Sequence, residues 1–214
     1  KGIVLTKDPL NAVEDLDQYV VQEYIAKPLL IENKKFDLRV YVLVTSVRNM
    51  SVHILNDGLV RLCAEDYQKP TEENLSTACM HLTNYAVNKH HENFEFNTDA
   101  DQTDVGSKRD FRFLNSWLTE NGHDVEKFWD RIEHMINKAL VAAQPQLAHV
   151  YNSIFPHNND GWTCFEVLGF DVMIDEKMKP WLLEVNHTPS LACDTPLDHR
   201  IKSTLVEETW KIIN

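Results

Sequence analysis

The stretch Phe36–Thr45, FDLRVYVLVT, constrains the fold more than any other part of the chain. Phe36, Leu38, Val40, Val42 and Val44 recur at the period of a pleated strand, so one face of that strand is apolar along its length. The opposite face opens with Lys35, Asp37 and Arg39. A strand divided in this way belongs in a sheet that packs on one side and carries charge on the other. The charged side admits two readings. One is a mutually paired surface stripe. The other is a nucleotide floor, with lysine toward base or phosphates, aspartate accepting from ribose hydroxyls and arginine reaching phosphate.

Around this strand the sequence predicts an α+β domain with much antiparallel pairing. Tyr19–Ile25, YVVQEYI, is short and β-branched and reads as a strand, whose end, Gln22-Glu23-Tyr24-Ile25, can present backbone groups to an adenine edge. Ser51–Leu55 and Leu59–Cys63 flank Asn56-Asp57-Gly58, a hairpin signal. From 66 to 121 the chain is polar and aperiodic, and 90–110 is expected to be a mobile surface loop. In that region His81-Leu82-Thr83-Asn84-Tyr85 reads as no more than a turn or cap. Val125, Phe128, Trp129, Ile132, Ile136, Ala139, Leu140 and Ala143 predict a helix capped by Asp124 and stopped by Pro145. A last helix starts at Thr195 and Pro196, with Leu197, Ile201, Leu205 and Ile212 on one side.

The segment CFEVLGFDVMIDEKMKPWLLEV, from Cys164 to Val185, reads as two strands about a polar turn at Asp175–Lys179. A turn centred between Lys177 and Met178 sets Asp171 opposite Glu184, with Asn186 two residues further on the same face. Like charges directly opposed across strands are unfavourable. Protonation of one acid relieves them, and so does a cation held between them. Asp, Glu and Asn together offer three hard oxygen ligands, the set that suits Mg²⁺ in nucleotide sites. The competing reading puts Asp171 on a bulge and pairs Glu184 with a lysine.

Composition narrows the class. A net charge of −12 argues against a nucleic-acid partner. No apolar run approaches the roughly 18 residues of a membrane span. The four cysteines form no CxxC pair, which favours reduced thiols over a disulfide framework or a zinc site.

The motifs QEYI, KFDLRVYVLVT, GLVRLC, CMHLTNYAVNKH, GSKRDF, CFEVLGFDVMID and KPWLLEVNHTPSL, in this order, resemble the tubulin tyrosine ligase-like family and its polyglutamylase branch. The resemblance covers nearly the whole chain. It implies an ATP-grasp fold binding ATP and Mg²⁺, here incomplete: 1–26 as the end of the central domain and 27–214 as the C-terminal domain, without the amino-terminal lobe. It implies Gln22, Glu23, Tyr24 and Ile25 at adenine, Lys35 and Asp37 at base and ribose, and Thr83 and Asn84 along the nucleotide. Asp171, Glu184 and Asn186 become the magnesium ligands, and Arg39 a counter-charge for the transferred phosphoryl. Arg61, Lys108 and Tyr85 hold the incoming glutamate. His187 tilts the reading toward chain elongation over initiation.

The implied reaction adds glutamate to side chains or chains on acidic tubulin tails through an acylphosphate, in the cytoplasm and cytoskeleton, with cilium, axoneme or basal body as expected sites. A ligase using tyrosine or glycine, or a catalytically silent microtubule or ciliary protein, is the alternative. Two departures stand out. Ala86 follows Tyr85 where glutamylases often have serine, and Lys1-Gly2-Ile3 matches only the end of the family's glycine-rich phosphate loop. The resemblance also implies a basic microtubule-binding extension downstream, as in many glutamylases, whose absence from this segment would explain the acidic balance.

Overall fold

Residues 3–13, 15–155 and 160–214 are described by a computed structural model. Lys1 and Gly2, which carry the likeness to a phosphate loop, lie outside the described residues. The strands are β1 (Leu30–Ile31), β2 (Lys34–Ser46), β3 (Ser51–Asp66), β4 (Lys108–Arg109), β5 (Glu166–Ile174) and β6 (Pro180–Asn186). They form one six-stranded sheet in the order β4-β3-β2-β5-β6, with β1 also on β2, and every pairing is antiparallel. The helices are α1 (Ala78–His81), α2 (Tyr85–Asn88), α3 (Phe111–Glu120), α4 (Val125–Ile154) and α5 (Pro196–Ile213). The expected α+β class is what the chain adopts.

The apolar face of β2 faces the core. Leu38, Val40 and Val42, with Val60, Leu62, Phe170 and Val172, are fully buried against Phe111, Leu114 and Leu118 of α3 and Phe128, Ile132 and Ile136 of α4. Each such side chain contributes about 1.5–3 kcal/mol when removed from water. On the opposite face α5 sets Leu197, Ile201 and Leu205 against Tyr41 and Leu59. The Lys35–Arg39 end of that face is left to polar chemistry. Asp124 and Thr195 cap α4 and α5 as expected, accepting from Lys127 N and Asp198 N.

Several expectations fail for identifiable reasons. Tyr19–Ile25 pairs with no strand among the described residues, and Val20 and Val21 are exposed. β-branched residues favour strands through cross-strand packing, which this segment lacks. Asn56-Asp57-Gly58 lies inside the continuous strand β3, at a bulge where the register jumps from Val40↔Gly58 to Val42↔Ile54. The turn between β2 and β3 falls instead at residues 47–50.

Helix α4 continues through Pro145 to Ile154. Proline forfeits one helical hydrogen bond, but Gln144 Nε2 donates to Val47 O at 2.9 Å and Tyr151 is buried, so tertiary contacts carry the helix onward. The polar stretch 66–121 contains α1, α2, β4 and α3 rather than plain loop. At its end Ser107, Lys108, Arg109 and Asp110 are all buried, which the expectation of a mobile surface loop over 90–110 did not foresee.

Candidate active site

Register brings the charged residues to one face of the sheet. Lys108 of β4 pairs with Arg61 of β3, and Arg61 with Asp37 of β2. One step along, Arg39 of β2 pairs with Asp171 of β5, and Asp171 with Glu184 of β6. Directly paired residues share a face, so two short rows of charge cross the strands side by side. Gly169, opposite Asn186, leaves the space that the Arg39 stem fills: a Cβ there would stand 3.1 Å from Arg39 Cδ.

The opposition of Asp171 and Glu184 depends on a bulge. Val172 pairs with Leu182 while Asp171 pairs with Glu184, so Leu183 is the extra residue. The expected reliefs of this like-charge pair were protonation or a bound cation, and the structure shows a third. Arg39 donates to both Asp171 oxygens, Nη2 to Oδ2 at 2.9 Å, and Arg61 Nη2 stands 2.8 Å from Oδ2. Burial works to raise the Asp171 pKa, but the Arg39 bonds and the charge of Arg61 outweigh it and hold the carboxyl below its usual range.

Arg61 is shared. Its Nε donates to Asp37 Oδ1 at 2.8 Å and its Nη2 to Asp37 Oδ2. Burial alone would depress its pKa, yet Asp37 and Asp171 drive it upward. Glu184 is exposed, and Asn186 Nδ2 donates to Glu184 Oε1 at 3.1 Å. Among the described residues no three His, Cys, Asp or Glu side chains gather as a metal site. The candidate triad is two carboxylates and an amide.

A second cluster lies at the start of β2. Lys35 Nζ donates to His81 O at 2.7 Å and to Tyr24 Oη at 3.2 Å, and stands 4.4 Å from the centre of the Tyr24 ring. Burial lowers the Lys35 pKa. Thr83 is buried beside these groups in sequence, and Asn84 occupies the position before α2 without making a side-chain cap bond.

A third cluster sits where β4 meets the start of α5. Lys108 Nζ lies 2.7 Å from Asp198 Oδ2 and 3.9 Å from the centre of the Tyr85 ring. Tyr85 is pushed up to about 12 by burial and by the neighbouring Asp194 carboxylate.

The profile of the tubulin-tyrosine ligase family matches residues 1–214. The chain belongs to the tubulin-tyrosine ligase family. Across the whole chain it is 45% identical to a probable beta-tubulin polyglutamylase of Tetrahymena thermophila and 45% identical to tubulin polyglutamylase ttll6 of Danio rerio. It is 44% identical, again across the whole chain, to tubulin polyglutamylase TTLL7 of Xenopus tropicalis. It spans 18%, 27% and 23% of the length of these curated relatives, respectively.

In this tubulin-tyrosine ligase family chain, the residues singled out from sequence do not all converge. Lys35, Asp37, Arg39, Arg61, Lys108, Asp171, Glu184 and Asn186 share the polar side of the sheet, and Tyr24 and Tyr85 pack against two of its lysines. Gln22, Glu23 and His187 are exposed. Sequence reasoning missed Asp194 and Asp198, because their carboxylates look like ordinary helix-start acids. The only available signal was the Thr195-Pro196 cap that places both beside the first turn of α5.

Proposed function

We propose that the protein is an ATP-dependent ligase that adds glutamate to glutamate side chains or chains on tubulin C-terminal tails. The observation that carries this is identity of 42–45% over the entire chain with proteins named tubulin polyglutamylases. The chemistry of the polar face supports it, since joining glutamate to an acidic tail brings several anions together. Arg39, Arg61 and Lys108 supply counter-charges on one sheet face. We read the chain as an ATP-grasp fragment divided at 26/27, with Tyr24 and Lys35 toward the base, Asp37 toward the ribose, and Gln22–Ile25, Thr83 and Asn84 around the nucleotide.

The donors on β5 and β6 fit a hard divalent cation in kind. Asp171 accepts two N–H bonds from Arg39, and Arg61 Nη2 stands 2.8 Å from its Oδ2, which leaves part of a carboxylate's roughly four lone-pair directions. That part, with Glu184 and Asn186, would hold Mg²⁺, which supplies charge neutralisation for phosphate. Arg39 balances the charge of the γ-phosphoryl group as it passes to the acceptor carboxylate, giving an acylphosphate and ADP. The amino group of free glutamate then attacks the acyl carbon and phosphate leaves. Arg61 meets a substrate carboxylate by exchanging one of the two aspartates it now holds. We read His187, exposed just past Asn186, as meeting an acidic chain already started, and on that reading the reaction is elongation rather than initiation. The acceptor puts the enzyme on cytoplasmic microtubules, including those of cilia and basal bodies.

The test is incorporation of radiolabelled amino acid into microtubules by the full-length protein, with glutamate, glycine and tyrosine compared. Glutamate alone should be incorporated. Glu184→Gln, at an exposed position, should leave the thermal midpoint unchanged and abolish incorporation. Normal incorporation by that variant would remove Glu184 from the metal set.

A further inference from the structure

We propose that Asp198, on the first turn of α5, is a positioning residue for the amino-acid end of the site: it fixes where the Lys108 ammonium sits. The inference rests on the reading of Lys108 as a ligand for a carboxylate of the incoming glutamate.

Lys108 does not define its own position. It lies on a two-residue edge strand, and its stem is long, flexible and rich in rotamers. Its ammonium is nonetheless buried, 2.7 Å from Asp198 Oδ2 and 3.9 Å from the centre of the Tyr85 ring. Asp198, in contrast, is immobilised from several directions. It is fully buried, its backbone N–H donates to Thr195 Oγ1 at 3.1 Å, and Thr195 Oγ1 donates back to Oδ2 at 3.0 Å. Lys202 Nζ stands 3.6 Å from Oδ1. The amino-terminal end of an 18-residue helix adds its own preference for negative charge.

A fully buried carboxylate is costly unless it is paired, and much of its pairing here is spent on Lys108. Just before the same turn, the Asp194 carboxylate acts electrostatically on the other residue of this corner, Tyr85. The helix start therefore holds the lysine, and the lysine stands over the Tyr85 ring. Of the three donors on the ammonium, one hydrogen bond is made among the described residues, to Asp198, so the lysine can hold its anchor and a substrate carboxylate together.

The experiment measures KM for glutamate and for ATP with the full-length protein and microtubules. Asp198→Asn keeps the shape and removes the charge. It should raise the glutamate KM by about tenfold or more while the ATP KM stays within about twofold. Lys108→Met should do the same, and the double variant should be no worse than Lys108→Met alone, because the two residues act as one unit. If Asp198→Asn does not fold, Asp198→Glu decides: it retains the buried charge but displaces the ammonium by about one methylene, and the glutamate KM should still rise selectively.

Parallel rises in both KM values would reduce Asp198 to a structural residue and overturn the proposal. So would an unchanged glutamate KM in the Asp198 variants when Lys108→Met raises it. An unchanged glutamate KM in Lys108→Met is a separate failure, which removes Lys108 from the amino-acid site and Asp198's role with it.

Discussion

His81 lies in a hydrogen-bond relay whose direction is fixed at both ends. Its Nε2 is 3.1 Å from Asn74 O, a pure acceptor, so Nε2 carries the proton. Nδ1 then accepts from Tyr24 Oη at 3.1 Å, and that hydroxyl accepts from Lys35. A second proton on the ring would oppose the Tyr24 hydroxyl and stand near the Lys35 charge. Burial, with Lys35 adding to it, holds the His81 pKa below its ordinary value, so the fold favours the neutral ring. The unfolded chain therefore binds the proton first. The stabilisation is complete above about pH 6.5 and is lost as pH falls from there through the folded pKa. Thermal midpoints taken between about pH 7.5 and pH 5.5 should fall in the native protein and stay flatter in His81→Gln. An equal slope in both would assign the pH response elsewhere. Gly169 makes a second residue-level case. A Cβ there meets Pro189 Cβ at 3.0 Å and Arg39 Cδ at 3.1 Å, so in Gly169→Ala Pro189 and the Arg39 stem must give by a few tenths of an ångström. A shift of that size, short of the 1 Å that costs about 100-fold, should lower kcat/KM for glutamate incorporation by up to about tenfold, with little loss of thermal stability. Unchanged kinetics would show that Arg39 moves freely.

Strand β3 shows why local pattern reading stops short. Asn-Asp-Gly is a hairpin signal because a type I′ turn needs positive φ, yet none of residues 56–58 has it. Gly58 is small for another reason. A Cβ would lie 2.4 Å from Arg39 O and 2.5 Å from Phe111 Cζ, so the strand crosses β2 and α3 more closely than any side chain permits. Asp57 Oδ2 accepts from Arg200 Nη1 at 2.7 Å, which ties the bulge to α5. Gly58→Ala should destabilise by about 1–3 kcal/mol in denaturant unfolding, and a neutral outcome would mean the bulge relaxes at no cost. The true two-residue turn, Glu32-Asn33 between β1 and β2, has both φ values positive without a glycine, and Arg109 grips Glu32 at 2.6 Å. Nothing within a few residues of it announces that partner. By contrast β2 and the β5–β6 pair were legible, because their alternation is long and their turn carries Asp175. That carboxylate takes N–H bonds from Lys177 and Lys179 at 2.9 and 3.0 Å. The register of Asp171 against Glu184 emerged from the sequence, but the bulge at Leu183 that produces it did not. The arginines on Asp171 were equally hidden, since β2 and β5 lie far apart in the chain.

At the scale of the molecule, charge and packing divide the sheet. Lys35, Arg39, Arg61 and Lys108 gather on one face of a chain whose net charge is −12, interleaved with Asp37, Asp171, Glu184 and Asp198, so an anion is met by single cations at contact range, and longer-range fields fade within about 10 Å at ordinary salt. Packing is unequal too. The α3/α4 side holds the large core that includes Leu114, Ile132, Ile136 and Phe170, whereas α5 joins the other side through Leu197, Ile201 and Leu205 on Tyr41 and Leu59. Arg200 supplements that contact through Asp57 and Asp110. A helix held by so small a cluster should open at lower free energy than the main core. It carries Asp198 with it, and Lys108 then loses its anchor. Ile201→Ala should cost about 2–5 kcal/mol if the cavity stays open. Hydrogen exchange in that variant should quicken in α5 and around Lys108 while α3 and the first turns of α4 keep their protection. If protection falls equally in α3 and α4, the sheet and all its helices unfold as one unit, and α5 is no softer than the core it adjoins.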